Sequence, residues 1–225
     1  MAKITSGERI DKVAEILAAS FHEDPLYTYI LHDLDEPKRK AYLPKLLRGV
    51  VAACVLNGGS VIEVEDWSAC AVFMPPGQEA RQCTHLVEAN PYSHARQRLI
   101  IEYPAAVDQV IARVLTKEEI RTGYWYGVIM CTVAGSRQKG LASSLVSYVQ
   151  DLTRADRRPM WIEAPSLKTA QLYLHLGFGI IVLAGKGVVG IDGLAKAGDE
   201  GITAWGMIYR PRHDEGSTRE RPSRL

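Results

Sequence analysis

An aromatic and β-branched run over residues 124–133 breaks at Ala134-Gly135-Ser136-Arg137-Gln138-Lys139-Gly140, and helical spacing takes over from Leu141. This strand–turn–helix order constrains the fold more than any other stretch. Leu141, Leu145, Val149 and Leu152 fall on one helical face, so the helix must lay an apolar stripe back on the strand it follows. The first turn of a helix leaves backbone N–H groups without intrahelical partners, at the positive end of the helix dipole. Such a turn is a seat for a phosphate group. Gly140 lets an anion approach the backbone with no side chain in the way. The backbone of Gln138 to Ala142 contributes the N–H donors, and Ser143 a hydroxyl. Arg137 and Lys139 add charge, or are the solvated rim of an ordinary turn.

With 225 residues, 47% hydrophobic and 24% charged, the chain suits one domain over residues 1–210. A polar, mostly helical insertion occupies 78–120, and a charged, disordered tail is expected over 211–225. A formal net charge of +1 gives no bulk reason to expect nucleic acid or an anionic membrane as partner. No apolar run is long enough to cross a bilayer, and the N-terminus lacks the apolar core of a secretory signal. Cys54, Cys70, Cys83 and Cys131 are scattered without a C-x-x-C pair. Reduced thiols in a cytoplasmic protein, with no metal site, are the expectation.

Thr5-Ser6-Gly7-Glu8 reads as a capping box before a helix carrying Ile10, Val13, Leu17 and Phe21. That helix should stop near Asp24-Pro25. A short helix with Tyr27, Ile30 and Leu31 follows, then a longer one ended by Asn57-Gly58-Gly59. Residues 60–65 and 69–74 read as strands around a turn at Asp66-Trp67-Ser68. Val107, Val110, Ile111 and Val114 form one clear helical stripe in the insertion. Strands are expected at 159–164, 179–183 and 202–209. Helices, then strands, then strand–helix–strand–helix–strand define a mixed α/β (α+β) domain.

A second string lies at a telling distance from the first: Ser166-Leu167-Lys168-Thr169-Ala170-Gln171-Leu172-Tyr173-Leu174-His175-Leu176-Gly177-Phe178. It is a helix carrying a tyrosine, with Gly177 suited to a left-handed cap. Together, the R/Q-x-x-G-x-G/A order of Arg137–Ala142 and this Tyr…Leu-Gly-Phe helix resemble the coenzyme A loop and last helix of the GNAT family of acetyltransferases. The chain is most similar to the branch containing fungal GNATs and puromycin N-acetyltransferase. The resemblance takes in residues 18–25, Ala69 to Pro75, Trp161-Ile162-Glu163 and residues 203–207, but not 78–120. It departs at Ala134, where proline is usual, at Gln138, often glycine, and at Thr169, commonly asparagine. None of these changes removes a backbone N–H donor.

The resemblance implies a GNAT fold, with a mixed central sheet of about six to seven strands flanked by helices. It also implies direct acetyl transfer from acetyl-CoA to an amine, or less often a hydroxyl, of a small molecule. Residues 137–143, with Thr169, would hold the coenzyme. The oxyanion donor would be a strand N–H near Cys131, Thr132 and Val133, beside a splay between the two central strands. Tyr173 would be the acid that protonates the thiolate, or else a core tyrosine. The strand before the loop holds no Asp, Glu or His. The base would therefore be Glu163, unless that residue is a structural carboxylate and a water chain serves instead. Asp24, Tyr27, Tyr29, Trp125 and Tyr126 would form the acceptor side, and their rings suggest a partly apolar molecule. A non-catalytic acyl-CoA-binding module is the rival reading, and the chain is expected to be a monomer or homodimer.

Two further strings stand apart. Gly185-Lys186-Gly187-Val188-Val189-Gly190 is a literal G-x-G-x-x-G, but Gly193, Gly198 and Gly201 break the helix that a dinucleotide site requires next. It reads as a hairpin between the last two strands. Ser223-Arg224-Leu225 conforms to a variant peroxisomal address, meaningful only in a eukaryote.

Overall fold

A computed structural model describes residues 4–7, 9–78, 95, 97–184 and 203–211. Its strands are β1 (Ile4–Gly7), β2 (Ser60–Val64), β3 (Ala69–Met74), β4 (Trp125–Thr132), β5 (Met160–Ala164), β6 (Gly179–Ala184) and β7 (Thr203–Tyr209). They form one sheet in the order β1-β2-β3-β4-β5-β7-β6. Every neighbouring pair is antiparallel except β4 and β5. The helices are α1 (Ile10–Phe21), α2 (Pro25–Ile30), α3 (Glu36–Leu56), α4 (Tyr103–Val114), α5 (Lys117–Thr122), α6 (Leu141–Asp156) and α7 (Leu167–His175). A π-helical turn, Arg98–Glu102, leads into α4.

Residues 5–7 do not open the helix that the capping-box reading expected. Residues 4–7 pair with β2 instead, Ile4 opposite Val64 and Gly7 opposite Val61. The ladder takes the backbone groups that a cap would have used, and α1 starts at Ile10 with no side-chain cap. The Asp24-Pro25 stop holds for a clear reason: Asp24 accepts from the Leu26 N–H at 2.9 Å and opens α2, with Pro25 in its first turn.

β3 is buried at every position, as its unbroken apolar run requires of a strand covered on both faces. Alternation along the strands sorts the core into two sides. Cys70, Val72, Met74, Ile129 and Cys131 pack with α1, α2 and α3. Ala69, Ala71, Phe73, Trp125 and Ile162 pack with α6 and α7. The expected stripe on α4 buries Val107 and Ile111 against Trp161, Ala204 and Ile208. The insertion thus joins the core on the face opposite α6 and α7. No helix among the described residues is long and apolar enough to cross a membrane.

Candidate active site

The two central strands part company. β4 and β5 pair at Trp125–Met160, Tyr126–Trp161 and Gly127–Ile162 and no further, although β4 runs on to Thr132. Val128 is an extra residue on β4, since Val72 faces Ile129 and Phe73 faces Gly127. This β-bulge bends the strand where the pairing ends. The antiparallel ladder then decides which donors face the gap. Val133 donates its N–H to the Ser68 carbonyl at 2.9 Å. By alternation Cys131, opposite Cys70, also turns its N–H toward β3, while Met130 and Thr132 turn theirs to the open side. Of the three positions expected near the oxyanion, only Thr132 turns its N–H to the open side, and Met130 joins it. The Cys131 thiol is buried 3.7 Å from the Cys70 thiol.

Through this gap runs a cavity of about 860 Å³, walled from both faces of the sheet. Tyr27, Tyr103 and Ile111 line it on one side, and Val146, Ile162 and Tyr173 on the other. Glu163 lies on its wall. The carboxylate accepts from the Tyr126 hydroxyl at 2.9 Å and from the Trp161 indole N–H. Trp161 is fully buried. Gly206 on β7 leaves room for its ring; a Cβ at Gly206 would stand 2.5 Å from the indole. Burial pushes the Tyr173 phenol above its ordinary pKa, and the nearby Glu163 charge pushes it further. The Tyr126 and Tyr103 phenols are raised the same way, by burial first and then by Glu163. All three keep their protons at neutral pH and present O–H groups.

At the far end of β4 the loop takes the conformation that an anion seat needs. Gly140 caps α6 with φ +75° and ψ 5°, and no side chain caps the first turn. The N–H groups of Leu141, Ala142 and Ser143 therefore have no intrahelical acceptor. No heavy atom lies within 4 Å of where a Gly140 Cβ would stand. Arg137 reaches back, its Nε 3.4 Å from the Thr132 carbonyl, and Lys139 is exposed. Gln138 has φ +63°, a region that strains residues with a Cβ. Gln138→Gly should therefore stabilise the fold by about 1 kcal/mol. Denaturant unfolding checks the effect; a less stable variant would show that the Gln138 side chain carries weight of its own. Thr169 sits in the first turn of α7, where its N–H and hydroxyl both meet the Ser166 hydroxyl, and it lines the cavity.

The five expected acceptor residues separate. Asp24, Tyr27 and Tyr126 line the cavity. Trp125 does not: its ring packs on the α6 face and its indole donates to Asp156 at 3.0 Å. Alternation puts the Trp125 ring on the face opposite Tyr126, and there the bond to Asp156 holds it away from the cavity. Tyr29 is drawn elsewhere too, donating to Glu102 at 3.1 Å with the Arg98 guanidinium over its ring. Tyr103, Tyr124 and Asp108 were not anticipated and line the cavity. Buried Arg98 holds this wall in place. It bonds the Ile30 carbonyl at 3.0 Å and Asp33 at 3.1 Å, clamping the turn before α4 onto the end of α2. A lone basic residue in a polar insertion gives no sequence signal for such a clamp. Residues 185–190 and the C-terminal tripeptide lie outside the described residues; β6 and β7, which flank the former, are antiparallel neighbours.

No family model matches the chain. An uncharacterized N-acetyltransferase of Schizosaccharomyces pombe is 22% identical over 184 residues, covering 79% of this chain and 73% of the relative. A Corynebacterium glutamicum structure described as histone acetyltransferase HPA2 and related acetyltransferase superposes with TM-score 0.62 at 19% identity, over 96% of this chain and 99% of that one. A GNAT superfamily phosphinothricin acetyltransferase from Sinorhizobium meliloti, in complex with AcCoA, superposes with TM-score 0.50 at 11% identity, over 93% and 88%. The fold is that of the GNAT acetyltransferases. The sequence likeness to the Schizosaccharomyces pombe relative points the same way.

Proposed function

We propose that the protein transfers an acetyl group from acetyl-CoA directly to the amine of a small, partly apolar molecule. One observation carries this reading: a cavity passes through the gap between β4 and β5, and that gap leads to the uncapped N-terminus of α6. The residues present fit acetyl-CoA. The N–H groups of residues 141–143 and the left-handed Gly140 suit the pyrophosphate. The open-side N–H groups of Met130 and Thr132 suit an extended arm laid along β4. Bound there, acetyl-CoA supplies an acetyl group activated as a thioester.

The chain's own groups then do three things. The open-side strand N–H groups stabilise charge developing on the carbonyl oxygen, an effect worth about 3–4 kcal/mol for one well-placed donor. Glu163 accepts a proton from the acceptor ammonium, exposing the nitrogen lone pair. The amine forms its C–N bond as the C–S bond breaks, and the Tyr173 O–H supports the departing sulfur through a hydrogen bond. Of the three ammonium protons, the amide keeps one, the thiol takes one and one leaves to solvent. Because burial raises the Tyr173 phenol, full ionisation is disfavoured and Tyr173 works by sharing its proton.

Tyr173→Phe is accordingly expected to slow free-thiol release by about 10²-fold, the low end for a general acid, with acetyl-CoA affinity kept. Unchanged release with every acceptor that works would remove Tyr173 from the chemistry. The reading as a whole is tested by a screen of amines and alcohols with acetyl-CoA, read as free thiol. Turnover restricted to amines supports it. Intact acetyl-CoA binding with no turnover across both panels would leave a binding-only module in its place.

A further inference from the structure

The cavity on the α2 side of Glu163 is unlike a simple apolar pocket. Its charged lining residues are Asp24, Asp108, Glu163 and Arg121, and Arg121 is tied at the surface to Glu118. Carboxylates thus dominate the interior. Asp24 forms no ion pair among the described residues. Burial raises its pKa, and the Leu26 and Tyr27 backbone N–H groups it accepts from offset this only in part. Beside it in the first turn of α2 is Tyr27, 9% exposed. The Tyr27 hydroxyl has no hydrogen-bond partner among the described residues, and the side chain lines the same cavity. Buried hydroxyls are rarely left unpaired in folded proteins. Phenol rings at Tyr27, Tyr103 and Tyr126 complete the walls, and aromatic faces attract cations. An ammonium group would satisfy all of these at once: it donates to Tyr27 Oη, pairs with Asp24 and lies against the rings.

Glu163 already has its place at the reacting amine. Resting on the acetyl-transfer reading above, we propose that the acceptor is a diamine-class cation. One amino group is acetylated beside Glu163, while a second, protonated, is held by Asp24 and Tyr27 against Tyr103.

Straight-chain diamines of increasing length and the matched monoamines, assayed with the full-length chain at saturating acetyl-CoA, provide the test. At the best length the diamine should exceed its monoamine in kcat/KM by at least about tenfold, the gain of one desolvated ion pair. Asp24→Asn keeps the helix cap, so the fold should persist. This variant should collapse the diamine-to-monoamine ratio to near one, mainly through KM, and Asp24→Glu should restore part of it. A diamine no better than its monoamine, or a ratio unmoved by Asp24→Asn, overturns the proposal. Acetyl-CoA binding measured alongside separates the two readings. If acetyl-CoA binds and only monoamines react, the diamine assignment alone falls. If acetyl-CoA does not bind, the transfer reading falls with it.

Discussion

Glu163→Gln is expected to lower kcat by about 10²–10³-fold while leaving acetyl-CoA affinity near that of the parent. The residue occupies a position where charge, not shape, is at stake. Its two oxygens accept from Tyr126 and from Trp161, and it raises the Tyr103, Tyr126 and Tyr173 phenols around it. Glutamine keeps the volume and one acceptor oxygen, but it cannot take a proton from an ammonium. The acidic limb of the kcat/KM profile should therefore disappear in the variant. A purely structural carboxylate makes a different forecast: stability would fall as one buried donor loses its acceptor, but kcat would change little and the pH profile would keep its shape. That second pattern would retire Glu163 as the base and leave solvent to do the work.

Gly140→Val should weaken acetyl-CoA binding by at least about tenfold. A residue with a Cβ pays roughly 1–2 kcal/mol to enter the left-handed region, and a β-branched one is a true outlier there. The space around Gly140 is open, so no packing is lost, and α6 still buries Leu141, Leu145 and Val149. The strain is relieved only by turning the first N–H groups of α6 away from their common direction. Calorimetry should show the affinity loss alongside a modest stability change, with KM for acetyl-CoA rising more than kcat falls. Unaltered affinity would mean that the anion sits elsewhere.

Much of this was legible in residue order, and the exceptions have physical causes. The strand over 124–133 and the helices carrying Leu145 and Tyr173 were readable because periods of two and 3.6 are local properties. Strand β1 was not, since Ile4-Thr5-Ser6-Gly7 carries a stronger cap signal than strand signal, and only β2 outcompetes the cap. Tyr103 was missed because it sits at the start of a helix in a polar insertion, where no pattern distinguishes a site residue from a surface one. Trp125 was misplaced for a subtler reason. Alternation sends its ring to the α6 face, and only the fold brings Asp156 there to hold it away from the cavity.

By itself the sequence determined the strand, turn and uncapped start of α6, because a glycine, a helix start and a preceding strand are neighbours along the chain. It also determined which helix carries Tyr173. Only the tertiary structure decided which side chains meet Glu163. The parallel register of Tyr126 with Trp161 brings the Tyr126 hydroxyl to a carboxylate far away in sequence. The parting of β4 and β5 just beyond opens the cavity, and the Arg98 clamp sets α4 across it. Those contacts depend on long-range pairing and packing, which no local pattern of residues encodes.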